Sequence, residues 1–207
     1  AIYSVDGSQN MELFDGLLRS RLGLTKLISD ALGSAVMRLD VFTTLARTKY
    51  FMACTRTDIF ELDLSALKPL YRTPMYTTGT VAVTLNSAVV TGTGTTWVGN
   101  VAVGDRFRIG TINAGTFASQ VWYTVLTVDS TTQITLTAVY AGSTASGQTY
   151  TIRNVFTGGA TDYWDSCEFT DTILGRIWVA TNGVNTIRYW TGSNQVVVLG
   201  GSPPLCR

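Results

Sequence analysis

A block rich in threonine and poor in charge divides this chain. Between Thr77 and Ile152 there are 19 threonines and only four charged residues among 76, whereas the segments on either side are richer in charge. Threonine and other β-branched residues favour pleated strands, and so low a charge argues against disorder. Because the two flanks resemble each other in composition and differ from the block, we predict that residues 1–76 and 153–207 form a discontinuous platform. Residues 77–152 would then be a domain inserted into that platform.

Short strand patterns recur inside the block at close intervals. Each is a run of alternating or β-branched residues, and Gly, Asn-Ser or Asp-Ser separates one run from the next. The runs occupy residues 80–85, 88–91, 105–109, 121–128, 133–137 and 149–152. Six or seven short strands divided by turn residues predict a small antiparallel β-sandwich or β-barrel.

The flanks carry a strand pair that occurs twice. In each copy an aromatic-rich run containing Ala and ending in Thr is followed by a run with bulky apolar residues at every second position. These runs are residues 50–55 with 59–62, and residues 176–181 with 186–190. Ala53 and Ala180 lie 127 positions apart, and leaving out the 76 residues of the block reduces this to 51, about the length of a kelch-type propeller blade. We therefore predict an all-β fold with partial β-propeller-like segments. Because a propeller needs at least four blades, we expect a partner to complete the ring or cover the edges.

Further strand-like runs lie at 38–44, 166–170 and 195–199. The early part of the chain, residues 11–32, is the least β-like. Residues 28–37 are compatible with a short helix that begins near Ser29 and is weakened by Gly33.

Residue content excludes several classes of chemistry. The chain has no His, which removes Ser-His-Asp and Cys-His catalysis and His-ligated zinc or haem. Cys54, Cys167 and Cys206 are widely spaced and form no Cys-x-x-Cys pair, so we expect reduced, mostly buried thiols in a protein that folds in a cytoplasm. A net charge of +1 excludes a purely electrostatic nucleic-acid binder. We predict no cofactor, no metal, no catalytic residue and no enzymatic activity.

No targeting or membrane-spanning segment is predicted. Residues 1–10 lack the basic and apolar regions of a signal peptide, and no window approaches 18 consecutive apolar residues. We therefore expect no membrane anchor.

Three short motifs resemble catalytic or binding sequences, and each has a simpler structural explanation. Ser65-Ala66-Leu67-Lys68 matches the Ser-x-x-Lys pattern, but it precedes Pro69 and lacks its partner motifs, so we interpret it as a turn. Residues 91–97 lack the third Gly of a dinucleotide loop and a following helix, which predicts a Gly-rich turn. The acidic loop at 6–10 lacks the downstream Glu of an EF-hand.

Four acidic residues recur every three positions, at Asp162, Asp165, Glu168 and Asp171. On a helix they would share a face and could hold a divalent cation. Because 166–170 has the pattern of a strand, Asp165 and Asp171 should share one face and Glu168 should point away. We interpret them as a solvated loop and strand face. A structural cation and a glycosidase-type pair of carboxylates remain as alternatives.

Paired arginines and aromatic residues are the remaining candidates for a binding surface. Arg19 with Arg21, and Arg106 with Arg108, are spaced to share a strand face, where they could contact phosphate or an acidic neighbouring subunit. The chain has 12 Arg against three Lys, a balance typical of interfaces. The tryptophans are interpreted as core and interface residues, and the alternative is a sugar-stacking platform. The residues of that platform would be Trp97, Trp122 and Tyr123.

Together these residues resemble two kinds of phage protein. Residues 76–84 and 89–97, followed by Val103-Gly-Asp-Arg-Phe-Arg-Ile109, resemble a module common in virion proteins of tailed bacteriophages. Residues 122–130, 133–137 and 150–152 continue this resemblance. The flanks resemble phage tail proteins of the nozzle type, which are ring-forming β-propeller proteins at the end of short tails. The segments that carry this second resemblance are 17–27, 50–64, 180–190 and 199–204.

The resemblance implies a structural virion protein without catalytic residues. Such a protein would be assembled in the host cytoplasm, would form a ring with other copies of itself and would contact neighbouring tail proteins. The ring would line a conduit for DNA ejection and touch the DNA transiently, which a nearly neutral wall would allow. Proteins of this kind usually continue beyond the Gly-Gly-Ser-Pro-Pro turn. The alternatives are a receptor- or carbohydrate-binding adhesin module of the tail and, third, a polysaccharide depolymerase that uses two of the four acidic residues.

Overall fold

The computed structural model describes residues 11–14, 17–20, 28, 30–113 and 120–201, and this part of the chain is all-β without a helix. Its first element is a hairpin of β1 (Met11–Phe14) and β2 (Leu17–Ser20), so the description of residues 11–32 as the least β-like part is wrong at its start. The short helix considered at 28–37 is wrong at its C-terminal end, where Val36 begins a strand. Gly33 has a φ of +79°, a left-handed conformation that interrupts a helix.

Four consecutive strands form an antiparallel sheet that we call the first meander. They are β3 (Val36–Thr43), β4 (Lys49–Thr55), β5 (Ile59–Asp63) and β6 (Lys68–Tyr71). The strands predicted at 38–44, 50–55 and 59–62 correspond to the first three, whereas no local pattern predicted β6. Pro69 discourages assignment to a sheet because it cannot donate a backbone hydrogen bond, but here it lies in the edge strand.

Eight strands between Met75 and Arg153 form one antiparallel sheet, in which neighbouring strands are not always consecutive in the chain. We call it the Thr-rich sheet. They are β7 (Met75–Tyr76), β8 (Thr80–Val83), β9 (Val89–Thr93), β10 (Arg106–Ile109), β11 (Tyr123–Ser130), β12 (Gln133–Leu136), β13 (Ala145–Gln148) and β14 (Tyr150–Arg153). Their order is β13-β8-β9-β12-β11-β10-β14-β7, and within the described residues the sheet does not close into a barrel. Side chains from both halves of the sheet pack into one core. That core includes Trp97, Phe107, Ile134 and Tyr150.

The last four strands form another antiparallel sheet in which the strands follow one another in chain order, as they do in the first meander. We call it the second meander. They are β15 (Asp165–Asp171), β16 (Gly175–Thr181), β17 (Arg188–Trp190) and β18 (Val197–Val198). The repeated strand pair of the sequence therefore occupies the same place in each meander, because it forms β4 and β5 in the first and β16 and β17 in the second.

Candidate assembly surface

The two meanders pack against each other through one face of each sheet. Alternate residues of β4, Met52 and Cys54, share a buried cluster with alternate residues of β16, Trp178 and Ala180. Trp190 of β17 lies in the same cluster, and its ring contacts the rings of Phe42 at 5.9 Å and Tyr50 at 5.0 Å between centroids. Because alternate residues of a strand point to the same face, these side chains lie on one side of each sheet. They form an aromatic-rich layer that packs the two sheets together.

Hydrogen bonds satisfy several of the polar groups in this interface. Trp178 donates from Nε1 to Asp40 Oδ2 at 2.9 Å, and the Ser166 hydroxyl donates to the same oxygen. Burial alone would raise the pKa of Asp40, but these two hydrogen bonds, with the Val41 amide and nearby Arg38, hold it below its usual value. The Thr43 amide also crosses the interface and donates to Glu168 Oε1 at 2.7 Å.

The opposite face of the first meander is only partly covered. Ala53, Phe60 and Tyr71 on this face are buried, and Ile112 and Trp122 of the threonine-rich part pack against them. The β3–β4 side of the face remains open, and Leu39 there is 66% exposed. We call this surface open face 1. It consists of Leu39, Val41 and Phe51, with the half-buried Leu62 of β5 at its border with the covered cluster; Val41, Phe51 and Leu62 are direct cross-strand neighbours.

The opposite face of the second meander is mostly uncovered, although Ile177 on this face is buried. One row of cross-strand neighbours runs over all four strands at the same register: Cys167, Val179, Tyr189 and Val197. Phe169, beside this row, is 57% exposed. We call this surface open face 2, and it consists of that row and Phe169. A groove of about 200 Å³ that includes Cys167 and Val179 among its lining residues runs along the β15–β16 part of the face.

The acidic residues do not converge on one centre. Asp165 pairs with Arg38 and Glu168 with Arg176. Asp171 accepts from the amides of the β15–β16 turn, which holds its pKa below the usual value. Asp162 accepts from the Gly159 amide at 2.7 Å. Asp162 and Asp165 both line a cavity of about 290 Å³, but no group of three or more metal-ligating side chains occurs in the described residues.

One of the motifs is a turn, whereas another, residues 91–97, is predicted as a turn but begins inside β9 and bends at Gly94. Residues 64–67 connect β5 to β6, and the Asp63 carboxylate accepts from the Ser65 amide and hydroxyl and from the Ala66 amide. The Ser65 hydroxyl is thus bonded to a carboxylate instead of to Lys68. In residues 91–97 a side chain at Gly92 would collide with Thr95 and Trp97, which explains the glycine by packing.

The aromatic candidates for sugar binding are mostly engaged. Trp97 is fully buried and donates from Nε1 to the Tyr150 hydroxyl at 3.0 Å, so it cannot stack on a ligand. Trp122 lies under the guanidinium groups of Arg108 and Arg153, with 5.5 and 4.8 Å to the ring centroid. Tyr123 is half-buried and lines a groove of about 360 Å³.

The arginine pair of β10 contributes to the Thr-rich sheet itself. Arg106 donates to the Thr124 hydroxyl on the neighbouring strand, and Arg108 donates from Nε to the Ile109 carbonyl at 3.3 Å. Burial lowers the pKa of Arg108. Neither residue has a carboxylate partner among the described ion pairs.

A buried junction that no sequence pattern predicted joins the Thr-rich sheet to the first meander. Arg153 at the end of β14 pairs with Asp58, and the two side chains are 8% and 4% exposed. The Arg153 guanidinium also lies 4.3 Å from the ring centroid of Tyr71. Nearby, Asp105 is buried and accepts from the Val155 amide at 3.0 Å, and burial raises its pKa. No local sequence pattern marked these residues, because their partners are distant in the chain.

The cysteine prediction holds only in part. Cys54 and Cys167 are both free thiols, but Cys54 is buried whereas Cys167 is exposed on open face 2. Burial raises the pKa of Cys54. The acidic loop at 6–10, Arg21, Cys206 and the side chain of Arg19 lie outside the described residues.

Comparison with known proteins adds no family to this description: no family model, no curated protein and no solved structure matches the chain. Among the described residues, no helix is long and apolar enough to cross a membrane.

Proposed function

We propose that this chain is a structural protein of a tailed-phage virion, one that assembles into a ring of the tail and contributes to the conduit for DNA ejection. The observation that carries the proposal is the pair of meanders, which pack face to face and leave an apolar face open on each side. Apolar rows that cross a whole sheet usually mark a surface that another protein layer covers. The assignment to a phage tail rests on the sequence resemblance.

Several observations favour an assembly function over catalysis. The acidic residues that a depolymerase would use are engaged in ion pairs or turn hydrogen bonds. Two carboxylates of a glycosidase must flank one bond at a defined separation, and residues that cap turns or pair with arginines are poorly placed for that role. The near-neutral charge also suits a conduit, because a strongly basic wall would retain DNA.

A carbohydrate-binding tail module is the second candidate, and the groove beside Tyr123 favours it. Tyr123 and Tyr140 lie 5.6 Å apart at this groove, and Arg108 is another of its lining residues. Aromatic rings with a nearby hydrogen-bond donor are a common arrangement in small-ligand sites. A Tyr140→Ala variant should then lose binding to a glycan array while it keeps its fold. An array without hits for the unaltered chain would remove this candidate.

The virion assignment is tested on particles. We expect mass spectrometry of gradient-purified phage to detect the chain at a fixed multiple of a single-copy tail protein. Antibodies against the chain should label the tail and not the head in electron micrographs. The chain's absence from purified particles, with abundant free protein in the lysate, would refute the proposal.

A further inference from the structure

The two meanders have similar sequences, and matching their positions shows which face of one corresponds to which face of the other. Counting 127 positions forward, Phe51 corresponds to Trp178 and Ala53 to Ala180. Trp178 and Ala180 lie on the face of the second meander that packs on the first. Phe51 lies on open face 1. Open face 1 therefore corresponds to the face of the second meander that packs on the first meander.

Open face 2 has the complementary equivalence. Val179 corresponds to Met52, which lies on the face of the first meander that the second meander covers. In the sheets Met52 lies opposite Glu61 on β5 and Val179 lies opposite Tyr189 on β17, so Glu61 and Tyr189 occupy equivalent places although the second connection is one residue longer. Each meander therefore has two distinct faces: the face of Ala53, which corresponds to that of Ala180, and the face of Met52, which corresponds to that of Val179. Within the chain, the Met52 face of the first meander packs on the Ala180 face of the second.

We infer that open face 2 of one copy docks on open face 1 of a second copy and repeats the internal interface between chains. This inference rests on the proposed function, since it specifies how the ring would form. The contact is heterologous, so it propagates from copy to copy and closes when the rotation between copies allows it. The row of Val179 and Tyr189 would lie on Phe51 and Leu62, as the row of Met52 lies on Trp178 within one chain.

The rims of the two faces agree with this pairing. Lys49 on the side of open face 1 is exposed and has no carboxylate partner among the ion pairs of the described residues. Asp165 and Asp171 lie at the two ends of β15 on the side of open face 2. Asp165 is already paired with Arg38, so Asp171 is the carboxylate that Lys49 of a second copy would meet, whereas pairing open face 2 with itself would bring two copies of Asp171 near each other.

The test uses one charged substitution on each face. We choose Leu39→Glu for open face 1 and Phe169→Glu for open face 2, because both side chains are largely exposed and their loss should not affect the core. Leu126→Glu, at a residue that is 48% exposed on the Thr-rich sheet, is the matched control. Circular dichroism and thermal melting must first show that all three variants fold like the unaltered chain.

Sedimentation velocity should then give a distinctive pattern. The unaltered chain and Leu126→Glu should self-associate, and each face variant alone should do so at least tenfold more weakly, which corresponds to about 1.4 kcal/mol. An equimolar mixture of Leu39→Glu and Phe169→Glu should form a 1:1 dimer that does not grow, because each copy retains one intact and complementary face.

Three results would overturn the inference. A homodimer of either face variant would show an isologous contact. Self-association unaffected by both substitutions would place the contact elsewhere, and it would leave the proposed function intact if particles contain the chain. A monomeric chain that nevertheless binds purified particles would show that another virion protein covers the open faces.

Discussion

The buried ion pair between Arg153 and Asp58 offers the most direct test of the structure. Its partners are 95 residues apart and join the Thr-rich sheet to the first meander. Arg153→Met is the informative change, because methionine retains an unbranched apolar stem but removes the charge. The substitution also ends the stacking of the guanidinium on Tyr71 and Trp122.

The expected cost follows from what remains after the substitution. Removing one partner of a buried ion pair costs about 3–5 kcal/mol, because the other charge stays buried without compensation. Asp58 would keep two hydroxyl donors, Thr57 at 2.7 Å and Thr73 at 3.1 Å, which offset part of this loss. We therefore expect the free energy of unfolding to fall by about 3 kcal/mol, the lower end of that range.

Urea unfolding followed by tryptophan fluorescence measures this change. The control is Arg38→Met, because Arg38 and Asp165 also join two sheets but are 36% and 82% exposed. An exposed pair contributes at most about 1 kcal/mol. In thermal melts the Arg153 variant should lose about 6–12 °C, at about 2–4 °C per kcal/mol for a chain of this size.

A double-mutant cycle with Asp58→Asn decides between a specific pair and a general loss of packing. The double variant should cost less than the sum of the single variants, with a coupling of about 1–3 kcal/mol. Additive effects, or an Arg153→Met cost no larger than that of Arg38→Met, would refute the reasoning and mean that the two sheets are joined in some other way.

Three further predictions concern titration and reactivity. The pKa of Asp40 is lower in the folded state than in the unfolded state. Its carboxylate therefore stabilises the fold at pH values above its unfolded-state pKa, and this stabilisation is lost as the pH falls through its folded-state pKa. Asp40→Asn should therefore flatten the acid limb of a stability–pH curve, and an unchanged limb would contradict this. Burial raises the pKa of Tyr150 to about 12 and also raises that of Tyr71, so these two tyrosines should ionise late in an absorbance titration; Tyr150→Phe should reduce this late step and lessen the fall in stability as pH rises through that range. Peptide mapping after thiol labelling should find Cys167 modified in the native protein and Cys54 only after unfolding, and equal rates would mean that Cys54 is accessible.

Sequence alone determined the repeated strand pair and most of the longer strands. Alternating residues and turn residues act over a few positions, so the runs that form β4, β5, β16 and β17 were identified without knowledge of their neighbours. Most strands of the Thr-rich sheet lie in the threonine-rich residues 77–152, but β7 (Met75–Tyr76) and the end of β14 lie outside them. Edge strands with little pattern of their own, β6, β7 and β13, were missed because pairing with a neighbour, and not local composition, makes them strands.

Only the tertiary structure decided which faces are covered. Met52 and Phe51 are adjacent in sequence and similarly apolar, yet one is buried between the meanders and the other is exposed. The polar partners also depend on the tertiary structure, since Trp178 donates a hydrogen bond to Asp40, which is 138 positions away in the sequence. A period of two determines that neighbouring side chains point to opposite sides of a sheet. It does not determine which side another sheet covers, because that depends on contacts between distant parts of the chain.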